Sequence, residues 1–282
     1  MTSNYYYLVA GLPELLLDEG KQRISCIDFL DEASEQLTVS DMRLLNALRL
    51  PFDNENLLSL LLKTGKPFDK KGAVEEEELA SALKSPDSLP GYMQRFIDSY
   101  RENRSPVPGL TPADQLAWFF YEEMTAASDP LISEWYTFDR NLRNIVAGLN
   151  CRRGLAHLEA LGTDREKPAA AVVIGRDDVA EAVMRSNAPD FGLTAMLPWA
   201  DRLVSLSRGS AGEFEKGVDT VRWDMLNEMT TGFYFSAEAV FAFFIKLTIV
   251  ERWMALDPET GRARFDRLID ELKASYTVPA DF

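Results

Sequence analysis

One stretch constrains this chain more than any other. Phe233 to Val250 is an 18-residue, mostly apolar run, long enough to cross a bilayer. It carries Glu238 and Lys246, and Arg252 follows two residues beyond its end. Each charge at a bilayer centre costs about 2.5–3.5 kcal/mol on insertion scales. The run is therefore expected to be a buried core helix, not a membrane span.

Helical signals dominate the rest. Ser40 is placed to cap a helix starting at Asp41, with Met42, Leu44, Leu45 and Leu48 on its apolar stripe and Pro51 as its stop. Asp53 would cap a second helix through Leu57, Leu58, Leu61 and Leu62, ended by Gly65 and Pro67. A third is expected over Val74–Leu83, its acidic run Glu75–Glu78 suiting the helix dipole, and a fourth over Leu89–Arg104. After the breaker Arg104-Ser105-Pro106-Val107-Pro108-Gly109 comes the strongest start signal, with Thr111 as N-cap, Pro112 at the first helical position and Asp114 three residues on. That helix is expected to reach about Ser128. Pro130 opens another, from Leu131 to at least Leu149 and as far as Leu161 if it continues past Gly154.

Gly162 to Pro168 reads as a polar break, and Ala170–Ile174 as the one run compatible with a buried strand. Further helices are expected over Asp177–Arg185, Leu197–Leu206, Glu213–Met229, Ser236–Leu256 and Arg264–Ser275, with Ser207–Gly212 as a loop. Tyr5–Val9 reads as a short extended segment, too little to build a sheet. The expected fold class is all-α, about a dozen helices in two or three bundle-like lobes. Residues 1–105, 110–164 and 168–282 mark those lobes, unless the chain forms one continuous unit.

Composition narrows the function. The chain of 282 residues has 45 acidic and 30 basic side chains, a net charge of −15. Such a chain is repelled by phosphate backbones and anionic lipid unless it holds a basic patch. Its densest cationic stretches, Lys63–Lys66 and Lys70-Lys71, lie beside Asp69 and four glutamates. Neither nucleic acid nor direct membrane insertion is expected. The two cysteines, Cys26 and Cys151, lie far apart, and the N-terminus has no basic, long apolar leader, so a cytoplasmic protein is expected.

A catalytic constellation is hard to find. The single histidine, His157, removes most imidazole metal sites and most Ser-His and Cys-His systems. It lies six residues after Cys151, about 240° round a helix, and so cannot serve that thiol as a base within one helix. Arg152 and Arg153, which could lower the thiol pKa, stand beside Cys151, but a small side chain at a helix surface is the plainer reading. No phosphate-binding glycine loop and no nucleophile elbow occurs. Asp257–Gly261 resembles a calcium loop only superficially and reads as a helix–helix turn. No catalytic, cofactor-binding or metal residue is assigned, and no cofactor is expected. Dense aromatics (Trp118–Tyr121, Trp135–Phe138 and Phe233–Phe244) point instead to a stiff, closely packed body.

Three short segments share a pattern of an acid, a nearby arginine and, three residues after the acid, Leu or Met. They are Asp41–Asn46, Asp139–Ile145 and Glu251–Met254. With the long apolar helix Ser236–Leu256 and the preceding Glu213–Asp219, the order resembles the C-type central-stalk component of V-type ATPases, known as the d-type component in eukaryotes. In that family an acid followed by Asn-Leu-Arg recurs in three helical units, and Asp139, Asn141, Leu142 and Arg143 match it best. Tyr5–Pro13 and Asp53–Leu57 look like a divergent bacterial branch, an uncharacterised family encoded beside V-type ATPase components. The resemblance to that branch covers most of the chain, and that to the C-type component lies mainly in its middle and last thirds. Glu251–Met254 lacks the Asn-Leu-Arg, and the chain is shorter than a usual C-type component.

The resemblance implies a funnel of helices on the cytoplasmic face of the membrane rotor ring, holding the foot of the central shaft, which is built from D- and F-type components. The role it implies is a non-catalytic central-stalk adaptor that passes torque between shaft and ring. The competing expectation is a helical enzyme or small-molecule-binding protein with an unrecognised carboxylate site.

Overall fold

Capping residues and apolar stripes set the architecture element by element. The computed structural model describes residues 4–17, 24–160 and 172–256. Among them are eleven α-helices and no strand, so the fold is all-α. They are α1 (Tyr6–Gly11), α2 (Cys26–Gln36), α3 (Val39–Leu62), α4 (Glu76–Ala82), α5 (Gly91–Arg101) and α6 (Pro112–Met124). α7 (Pro130–Ala160), α8 (Asp178–Arg185), α9 (Trp199–Leu206), α10 (Ala211–Met229) and α11 (Ala237–Ala255) follow. The helix expected over Arg264–Ser275 lies outside the described residues. The chain divides into two compact units, Met1–Leu37 with Phe233–Phe282, and Thr38–Gly232.

The first unit contains α1, α2 and α11. The extended segment expected at Tyr5–Val9 is the start of α1 instead. Tyr5 and Leu8 are both buried, and a three-residue spacing shares one face only on a helix. α2 has no counterpart among the expected helices, and it opens with a reciprocal capping box between Ser25 and Asp28. Its first amide, that of Cys26, donates to Glu251 Oε1 of α11 at 2.6 Å. α11 is the apolar run, and it buries Val240, Phe241, Phe244 and Leu247 at helical spacing. The Phe29 ring of α2 lies 5.2 Å from Phe243 and 6.0 Å from Phe244. No helix of the described residues is long and apolar enough to cross a membrane.

The second unit runs from α3 to α10. The two helices expected on either side of Pro51 are one: α3 continues through the proline. Pro51 lacks the N–H that would reach the Ala47 carbonyl, and the Tyr136 hydroxyl donates to that oxygen instead, at 2.8 Å. Asp53 is consequently not a cap but a mid-helix residue, and Thr38, not Ser40, caps α3 through the Asp41 amide. The Thr111 cap of α6 stands as expected. α7 is a single helix past Leu149, and α10 starts at Ala211, inside the stretch expected as loop, because Ser210 and Glu213 form a capping box. The described part of the candidate strand, 172–174, is irregular.

An aromatic seam joins α5, α6 and α7. Tyr92, Phe120 and Tyr136 meet edge to face, with centroids 5.2 and 4.9 Å apart. Arg95 of α5 reaches Glu122 and Glu123 of α6 at 2.6 and 3.4 Å. Gly148 lets α7 approach α8 closely, since a Cβ there would stand 2.6 Å from Val183 and 2.8 Å from Phe191.

Candidate functional site

The segment Asp139–Asn144 of α7, within one of the three look-alike segments, forms a polar hub in the second unit. Asp139 accepts the Tyr121 hydroxyl of α6 at 2.7 Å on one oxygen and Arg222 Nε of α10 at 3.2 Å on the other. Arg222 also donates to Asp219 at 3.1 Å, whose side chain is 1% exposed. Burial alone would lower the Arg222 pKa, but Asp139 and Asp219 more than offset it and hold the guanidinium charged. Burial, reinforced by Asp139, pushes the Tyr121 phenol well above its ordinary range.

The next residues reach elsewhere. Arg140 pairs with Asp177, the N-cap of α8. Arg143 bonds Asp114 of the first turn of α6 at 2.5 Å and the Val172 carbonyl at 3.1 Å. Leu142 is fully buried. Asn144 grips Ile174 from both sides: its Nδ2 donates to the Ile174 carbonyl and its Oδ1 accepts the Ile174 amide, each at 2.8 Å. Asn141 is buried, and its side-chain oxygen has no hydrogen-bond partner among the described residues.

α3 carries a second polar face, spaced by four and three residues. Asn56 grips Asp69 just as Asn144 grips Ile174, with bonds of 2.9 and 2.8 Å. Asp53, 0% exposed, accepts the amides of Ala73 and Val74 at 2.9 and 3.1 Å. Arg49 donates to the carbonyls of Lys71 and Gly72. Burial raises the Asp53 pKa, against those two amides and the nearby Arg49. These residues fix the connection between α3 and α4.

The remaining candidates disperse. Burial pushes the Cys151 thiol up, not down. Arg152 turns to the carbonyls of Ser186 and Ala188 and stacks 3.8 Å over Phe191, while Arg153 lies over Phe214. The His157 side chain and Asp257–Gly261 lie outside what the structure describes. The acids of the three look-alike segments serve three different contacts: Asp41 accepts the Thr38 hydroxyl, Asp139 joins α6 and α10, and Glu251 accepts the Cys26 amide. Among the described residues no group of three or more His, Cys, Asp or Glu side chains could hold a metal ion. A shallow groove on α8, lined by Asp178, Glu181, Arg185 and Phe191, has Arg185 paired with Glu181 at 3.4 Å.

Sequence reasoning gives no polar role to Arg49, Asn56, Tyr121, Asp219 or Arg222: Tyr121 reads as packing, and Asn56 and Asp219 only as parts of longer segments. The readable signal was polar residues recurring three or four apart on apolar helices, as at Arg49, Asp53 and Asn56.

Residues 1–276 match the model of a family described as a protein of unknown function, DUF2764. The chain belongs to that family. No curated protein and no solved structure matches it significantly. In this DUF2764 chain, then, the hub does what the local chemistry permits: it clamps helices and connections through paired charges and amides.

Proposed function

We propose that this chain is a non-catalytic central-stalk adaptor of a V-type ATPase, coupling shaft components of the D and F type to the membrane rotor ring. It would sit on the cytoplasmic side, peripheral to the membrane through that complex. One observation carries the reading: the motif Asp139–Arg143, which matches the family pattern best, ties α6, the lead into α8 and α10 to α7. A torque-bearing piece needs helices cross-linked in this way, because a close-packed, multiply bonded body transmits strain instead of absorbing it. The all-helical fold and its aromatic seam support the same reading.

Gentle affinity purification of the full chain from its native host tests this. Recovery of ring and shaft components at stoichiometric yield is the expected result. Recovering no rotary-ATPase component, together with turnover of a small molecule by the purified chain, would favour the enzyme reading.

A further inference from the structure

Unit one carries an aromatic surface that its own core does not use. Tyr7 is 91% exposed, Tyr234 73% and Tyr6 55%, and Phe233 and Phe235 are exposed beside them. Two of these residues pack together, and the other three are their neighbours in sequence. The Tyr6 and Phe235 rings lie 4.3 Å apart, and the Tyr5 amide donates to the Phe235 carbonyl at 2.6 Å, holding the two chain segments together. Exposed aromatic side chains grouped on two chain segments that are held together in this way mark interaction sites, and tyrosine is among the residues that dominate interface energetics.

Charge decides the occupant. The described residues of this unit expose Glu14, Asp28, Asp31, Glu32 and Glu35 against Arg252. The chain as a whole carries −15. A second copy would bring the same negative charge, and an anionic bilayer would repel it. A cationic protein surface is attracted, and its aliphatic side chains and lysine or arginine stems can cover aromatic rings.

We infer that Tyr6, Tyr7, Phe233, Tyr234 and Phe235 form the docking surface for a basic protein partner that presents aliphatic side chains among lysines and arginines. This rests on the adaptor reading, under which that partner is the foot of the shaft. The test uses the purified full chain and the purified D- and F-type shaft pair from the same host, with affinity measured at low and high salt. Wild type is expected to bind more weakly as salt rises. Tyr7→Ser combined with Tyr234→Ser is expected to weaken binding by about tenfold or more, the loss typical of interface hot spots. Met196→Ser, at an exposed position of the other unit, should bind as wild type does. Should the double variant lose its thermal transition, Tyr7→Ser alone gives the reading. Undiminished binding by a folded variant overturns this surface and leaves the adaptor reading standing. A wild-type chain that binds neither shaft nor ring overturns both. Two parallel arms, sedimentation of the chain alone and co-sedimentation with phosphatidylcholine–phosphatidylglycerol vesicles, overturn the inference if either association is the one the tyrosine variants abolish.

Discussion

The Tyr136 hydroxyl donates to the Ala47 carbonyl, the very oxygen that Pro51 leaves without its helical partner. An α7 side chain thus repairs a defect in α3, and the repair is what lets a 24-residue helix run through a proline. Tyr136→Phe is expected to destabilise the chain by about 1–3 kcal/mol, the cost of orphaning a part-buried acceptor. The same substitution made in a Pro51→Ala background should cost less, because the new amide can reach Ala47 itself. Urea denaturation of wild type and the three variants measures the coupling; equal costs in the two backgrounds would refute the repair.

The two asparagine grips make a second expectation. Asn144→Ala removes both bonds to Ile174 and leaves a buried amide and carbonyl unpaired, at about 2–4 kcal/mol. Hydrogen exchange at the Ile174 amide should accelerate markedly. Asn56→Ala should do the same at Asp69 and leave Ile174 unaffected. Exchange that fails to respond locally would show the grips to be incidental.

At the hub, Asp139→Asn keeps an acceptor for Tyr121 but removes half of the negative charge facing Arg222. The Arg222 side chain is 28% exposed, so water offsets part of the cost of losing its partner, and a loss of about 1–2 kcal/mol is expected. Adding Arg222→Met should recover part of it, because no unmatched cation is left. A double-mutant cycle that sums to no interaction would remove Asp139 from the account.

Much of this was legible in residues close in sequence. The start of α6 could be read from Thr111, Pro112 and Asp114 because a cap is a local device. The capping box of α2 is equally local, in Ser25 and Asp28, yet that helix is not among those expected. α3 misleads for the opposite reason: Pro51 reads as a stop when judged locally, and its compensation comes from a residue 89 positions away. The hub divides in the same way. Asp139 stands out through its motif, whereas Tyr121 and Arg222, 18 and 83 residues distant, have nothing in their surroundings to link them to it. The exposed aromatics look like core in the sequence, since composition does not say which side of a short helix faces water.

Acid titration separates two kinds of carboxylate. A Ser25 hydroxyl holds Asp28 below its ordinary range, a Thr194 hydroxyl does so for Asp190, and the Ser210 amide for Glu213. These favour the fold above their unfolded pKa values, and the benefit is lost as pH falls through the carboxylate range. Burial moves Asp53 the other way, so its contribution is fully present below its unfolded pKa and is lost as pH rises through the folded value. Asp53→Asn should therefore steepen the rise of stability with pH in the acid range, as followed by urea midpoints; a shallower rise contradicts the assignment. Burial likewise raises Tyr92, Tyr121 and Tyr136 well above their ordinary value of 10.0, so stability should fall as alkali drives the unfolded phenols to ionise.

The most direct test of the adaptor account is the coupling ratio of the host's V-type ATPase. ATP hydrolysis and ion uptake would be measured together in membrane vesicles from cells with and without this chain. The account predicts that removing the chain abolishes ATP-driven ion uptake while hydrolysis persists, and that adding back the purified protein restores uptake. Ion transported per ATP that is unchanged in its absence would contradict it.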